Sequence, residues 1–221
     1  MASYVMEFSV RGPLAYLSHL ELMKLFRQSF RRGALPISFS EGFNPHMKLS
    51  FAIAKGVGLE SEGELLEIET DDDIEEENFL EKINKVIPEG LKVKTFKEKT
   101  ISAKSLSSML RKAKYLLAYA KEVDYENYEA IITEKLSKTE ILMEVKTKKS
   151  FGVKDIKEYI LDWNFSEDGV IIEVYAGSDK NLRIENLLKY LDLELKPVRL
   201  KLIGDNGPII DKMSKEEKNE I

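Results

Sequence analysis

The run Ser18-His19-Leu20-Glu21 fixes a local structure more tightly than any other stretch of the chain. A serine at an N-cap accepts from the backbone amide three residues on, and a glutamate there reaches back to the cap amide. Leu22, Met23, Phe26 and Phe30 follow on one helical face, and Gly33 closes the helix. A helix with one apolar face needs a partner surface, and its neighbours alternate as strands do. Residues 4–10 form one strand ending at Gly12-Pro13, and residues 36–39 form a short second one. Residues 48–54 and 64–70 read as strands, 75–87 as an amphipathic helix stopped by Pro88-Glu89-Gly90, and 91–97 as a strand.

That order, β-α-β-β-α-β with an extra β-hairpin element, is a ferredoxin-like pattern. The order repeats after a Ser/Lys-rich stretch that holds a short helix. Strands are expected over 114–122, 140–146, 169–175 and 197–203, and helices over 124–136 and 184–191. Residues 155–161 fit either helix or strand. The fold class expected is α+β, two tandem ferredoxin-like halves with the extra hairpin in the first. The first half spans 1–100, a linker 101–113, the second half 114–205 and a flexible tail 206–221.

Composition narrows the function. With 221 residues, 43% of them hydrophobic, the chain can bury a core. It has no cysteine, which excludes disulfides, thiolate zinc sites, a cysteine nucleophile and a thiolate-held iron–sulfur cluster. No signal peptide and no apolar run of membrane-spanning length is visible, so the expectation is a soluble, cytoplasmic protein without a membrane partner. The net charge of −5 is laid out in blocks: +3 over residues 1–60, −10 over 61–90 and +7 over 91–122. The acidic block reads as a strand end entering a helix N-terminus, where carboxylates complement the macrodipole. The second basic block, Lys92 to Lys114, either extends a nucleic-acid groove or is the wet face of an edge strand, the reading preferred here.

The first block is different. Both histidines and four of the seven arginines lie between residues 11 and 48. Lys24, Arg27 and Arg31 share one helical stripe, and Arg32 adjoins it. Arginine here, in a chain that otherwise favours lysine, suits bidentate phosphate contacts. Ser40-Glu41-Gly42-Phe43-Asn44-Pro45-His46 is a turn-forming loop. Gly42 can expose backbone amides, Phe43 is either a core plug or a base-stacking platform, and Lys48 follows. The substrate or RNA contacts expected are Arg27, Arg31, Arg32, Ser40, Glu41, Gly42, Phe43, Asn44, His46 and Lys48. His19 and His46 are the candidates for acid–base work. No third ligand supports a metal site, and no cofactor is expected.

The motifs Leu17-Ser-His-Leu-Glu21, Phe30-Arg-Arg-Gly-Ala-Leu-Pro36, Ser40-Glu-Gly-Phe-Asn-Pro-His46-Met-Lys48 and Gly56-Val-Gly-Leu-Glu60-Ser-Glu62 resemble the radical SAM-linked protein family. Pro88-Glu-Gly90 fits it too. The family is bacterial, of unknown function, and its members occur beside or fused behind radical S-adenosylmethionine enzymes. Glu21 stands where that family more often has Asp, and Glu41 where Gln is common. The resemblance implies a radical S-adenosylmethionine enzyme as partner, acting in trans because this chain lacks cluster ligands. Gene neighbourhoods in the family, near ribosomal RNA processing and ribosomal protein genes, imply RNA as the substrate class.

Three functions remain open at this point. The first is an accessory RNA-binding module with no catalytic activity of its own. The second is a metal-independent RNA-processing endonuclease in which His19 or His46 is the general acid or base, by analogy with tandem ferredoxin-like CRISPR endonucleases. The third is a protein–protein adaptor docking through the acidic residues 62–77.

Overall fold

A computed structural model of the chain describes residues 2–99, 104–121, 123–146 and 151–213. It is a mixed α+β structure whose strand pairs described below are all antiparallel. It divides into two compact units, Met1–Leu110 with Lys201–Ile221, and Arg111–Leu200.

The first unit begins with β1 (Ala2–Val10), a 3-10 turn (Gly12–Tyr16) and α1 (His19–Arg32). There follow β2 (Leu49–Phe51), β3 (Glu60–Thr70), α2 (Glu76–Val86), β4 (Leu91–Lys99) and the single turn α3 (Leu106–Met109). The strand β1 is central, pairing with β3 through Tyr4↔Ile68 and with β4 through Tyr4↔Glu98. β2 pairs with β3 through Leu49↔Ile68. Alternation puts Tyr4, Met6, Phe8 and Val10 on the helix side of β1, where Leu22, Phe26 and Phe30 of α1 and Phe79 and Ile83 of α2 meet them. Phe26, Phe30, Phe79 and Ile83 are fully buried, each contributing about 1.5–3 kcal/mol. Phe79 stacks on Phe96 at 3.7 Å, and Phe96 on Tyr4 at 4.6 Å.

Pro88-Glu89-Gly90 makes the turn into β4. Gly90 has φ +90°, and a Cβ there would sit 2.7 Å from the Arg11 carbonyl oxygen. The Arg11 amide donates to the Gly90 carbonyl at 2.7 Å, so this turn is clamped to the end of β1.

The second unit holds β5 (Lys112–Tyr119), α4 (Tyr125–Leu136), β6 (Leu142–Lys146), β7 (Phe151–Asp155), β8 (Ile160–Ser166), β9 (Gly169–Tyr175) and α5 (Ile184–Leu191). β9 lies between β5 and β8. β6 and β7 form a separate two-stranded ladder from Leu142↔Asp155 to Lys146↔Phe151. Residues 155–161, ambiguous in sequence, hold the end of β7, a 3-10 turn and the start of β8. Asp155 explains the break: its carboxylate accepts from the amides of Ile141 and Lys157, bonds that hold its pKa below the ordinary value.

β10 (Leu195–Gly204) has residues in both units, and β11 (Gly207–Pro208) pairs back on it. Residues 206–213, read from sequence as the start of a flexible tail, include β11 and a 3-10 turn. Ile209, Ile210 and Met213 are buried there. Residues 214–221 of that tail, and 101–103 of the expected linker, lie outside the described residues. Further along the linker stretch, Leu106 and Leu110 are buried. No helix of the described residues is long and apolar enough to cross a membrane.

Candidate functional site

The capping box forms as its residues dictate. Ser18 Oγ accepts from the Glu21 amide at 3.3 Å, and Glu21 Oε2 accepts from the Ser18 amide at 2.8 Å. These bonds hold the Glu21 carboxyl below its ordinary range. The other end of α1 is closed differently from the sequence expectation. Gly33 is right-handed (φ −78°), and the left-handed residue is Ala34 (φ +48°), where the chain folds back so that the Leu35 amide reaches the Phe30 carbonyl at 3.0 Å.

The stripe expected on α1 is present. Leu22, Phe26, Ser29 and Phe30 face inward, Lys24, Arg31 and Arg32 are exposed, and Arg27 is half-buried between them. Arg27 Nε is enclosed without a hydrogen-bond partner, and Arg32 reaches only the Ser29 hydroxyl at 3.5 Å. No ion pair neutralises Lys24, Arg27, Arg31 or Arg32 among the described residues. Several other cations of the first unit are answered by carboxylates: Arg11 and Lys94 by Glu62, Lys48 by Glu69, Lys99 by Glu67 and Lys201 by Glu7.

Residues 37–48 form a narrow excursion at the end of β3. Ile37 bridges to Thr70, Phe39 bridges to Met47, and the Lys48 amide donates to the Ser38 carbonyl at 2.8 Å. The loop 40–46 is closed by the Ser40 amide on the His46 carbonyl at 2.9 Å and the His46 amide on Ser40 Oγ at 3.1 Å. Ser40 Oγ also lies 2.9 Å from His46 Nδ1, so one ring nitrogen is held and Nε2 is left to the outside. Gly42 takes φ +113°, and Glu41, Phe43 and Asn44 are exposed. Phe43 is not a core plug: it is 112% exposed, as open as a side chain can be.

Lys48 is drawn toward carboxylates. Its Nζ lies 2.6 Å from Glu69 Oε2, and that bond, with Glu41 and Asp71 nearby, raises its pKa. His19 packs edge-on against Phe51 with ring centroids 4.9 Å apart, and its Nδ1 is enclosed without a partner. His46 lies in the exposed loop five residues before Phe51, the β2 ring on which His19 packs. The two imidazoles thus have different neighbours. Among the described residues no group of three or more His, Asp or Glu is placed to hold a metal ion.

Residues 3–184 match a family described as an uncharacterized protein conserved in bacteria (DUF2344). The chain belongs to this family. The DUF2344 match contains all of α1 and the loop 40–46, so the candidate site lies within it. Its description names no radical S-adenosylmethionine enzyme. No curated protein matches the chain.

Sequence reasoning missed Lys55. Only 4% exposed, it donates to the carbonyls of Ala15 at 2.5 Å, Gly56 at 2.8 Å and Leu59 at 3.1 Å. It ties the 3-10 turn to the loop before β3 and sets Tyr16, 71% exposed, beside Gly58. The stretch Ala54-Lys55-Gly56 carries no local mark of such burial, because all three acceptors are backbone oxygens.

Proposed function

We propose that this chain is an accessory RNA-binding module that presents substrate to a partner radical S-adenosylmethionine enzyme acting in trans. One observation carries the reading: Lys24, Arg27, Arg31 and Arg32 gather four cations on one short helix, and none of them is paired with a carboxylate among the described residues. An unneutralised arginine stripe is a low-cost seat for phosphate, since no ion pair has to break first. The partner enzyme follows from the motif resemblance, and the absence of cysteine agrees with chemistry supplied by another chain. The strand order β4-β1-β3, with β2 on the other edge of β3, supports reading the first unit as a ferredoxin-like half. The sequence of elements from β5 to β10 supports the same reading of the second, with β6–β7 as an insertion.

The test is RNA binding across a salt series. Four phosphate contacts on a single strand give a log–log slope of about −2.8. Arg31→Ala/Arg32→Ala should bind more weakly at low salt and lower that slope by about 1.4. Wild-type protein that binds no RNA at low salt removes the proposal.

A second reading draws on His46 alone. An imidazole with Nδ1 held by Ser40 and Nε2 free has the form of an acid–base group. Cleavage of bound RNA in the presence of a chelator, lost in His46→Ala, would make the chain a metal-independent endonuclease.

A further inference from the structure

We infer that the RNA taken at this site is unpaired, with Phe43 as the platform on which one of its bases stacks; this rests on the RNA reading above. Phe43 stands, fully exposed, in a loop whose base is closed. The backbone is closed at its base by the Ser40–His46 bonds, and the Phe39–Met47 bridge lies directly behind them. A phenyl ring has no charge, donor or acceptor, so it gains nothing from phosphates or 2′-hydroxyls. Its partner in a nucleic acid is the face of a base, and in a duplex those faces are occupied by neighbouring bases. The A-form major groove is too narrow for side chains, and its minor groove displays hydroxyls and base edges. An unstacked base offers that face at no cost, whereas a duplex must first give up stacking between its own bases.

The charges divide the work in the same way. At the base of the loop, Lys48 is paired with Glu69 and faces Glu41 and Asp71, so that end is not a phosphate seat. The phosphate contacts fall to α1. A flexible strand can lay its backbone along the helix and turn one base onto the loop tip. A duplex can use the helix but reaches the phenyl ring only by unstacking a base step. Stacking on a ring that has no hydrogen-bonding groups is indifferent to base identity, so sequence preference is weak.

The experiment compares a labelled RNA of about ten nucleotides as a single strand and annealed to its complement. It is run with wild type, Phe43→Ala, Phe43→Trp and Arg31→Ala/Arg32→Ala. The expected result is single-strand binding about tenfold tighter than duplex binding. Phe43→Ala should remove that preference while leaving duplex binding unchanged, and Phe43→Trp should keep it. Equal affinity for both forms overturns the inference and leaves the RNA reading standing. So does a Phe43→Ala protein that still prefers the single strand. Failure to bind either form overturns both. Because Phe43 touches no core residue, its loss is not confounded by unfolding.

Discussion

The helix α1 and the strand β4 carry comparable positive charge and treat it in opposite ways. On β4, a register shift opposite Glu7 and Phe8 leaves Lys94 as an extra residue, and Lys94 and Lys99 both reach carboxylates of β3, Glu62 and Glu67, across β1. Glu67 is held further by the Ser3 hydroxyl at 3.1 Å. On α1 no such supply exists. A helical cation meets side chains three and four residues away, and around Arg27 and Arg31 those are Met23, Lys24, Gln28, Phe30 and each other. Glu21 lies within reach of Lys24 but is engaged in the cap. Two of the four β4 lysines, Lys94 and Lys99, are thus taken up by the fold, whereas the α1 ridge is left for something outside it. Charge counted along the chain does not distinguish the two; the carboxylates that strand pairing brings alongside do.

The contrast can be broken at its strongest point first. Lys99 has a side chain 7% exposed against 16% for Glu67, so Lys99→Ala strands a nearly buried carboxylate. It should cost about 3 kcal/mol in denaturant unfolding and leave RNA affinity alone. A loss below about 0.5 kcal/mol would make β4 as dispensable to the fold as α1's ridge. Arg31→Ala/Arg32→Ala should show the mirror image: RNA binding about tenfold weaker, and stability within about 0.5 kcal/mol of wild type. Ser18→Ala tests whether the ridge depends on its helix start. Loss of the cap should lower stability by about 1 kcal/mol, with a smaller effect on RNA affinity than removing the arginines.

The smallest expected effect is in acid. Burial pushes the Glu62 carboxyl up, but hydrogen bonds from Lys94 and Arg11 outweigh it, and the pKa is lowered from 4.5. A carboxyl depressed on folding stabilises above its unfolded value and loses that contribution as pH falls through the folded one. Stability should therefore drop below about pH 4.5, and Glu62→Gln should flatten that part of the curve in thermal melts. An unchanged acid limb in the variant would mean the ion pair is not linked to folding.

How much of this could be read from the chain depends on the range of the interaction. The cap at Ser18, the apolar face of α1 and the helix over residues 184–191 rest on contacts within a turn or two, and they stand where periodicity puts them. Phe43 left two readings open, because a lone aromatic in a loop is equally compatible with core and solvent until its loop is closed. The pairing of Lys48 with Glu69 spans 21 residues, and that of Lys94 with Glu62 spans 32. Both depend on strand register, which no local pattern declares. The left-handed Ala34 escaped because glycine is the usual choice for such a position, and Gly33 stood next to it. The segment 209–213 falls within the stretch expected as a flexible tail, yet Ile209, Ile210 and Met213 are buried.

Lys55 has a consequence of a chemical kind. Its nitrogen is surrounded by three carbonyl oxygens much as a bound cation would be, and it brings its own tether. An amine so enclosed is shielded from acylating reagents, and the peptide bond after it from trypsin, for as long as the turn over residues 12–16 stays docked. Labelling at this one position, followed by mass spectrometry, is thus a built-in clock for the opening of that turn, independent of whatever the helix beside it binds.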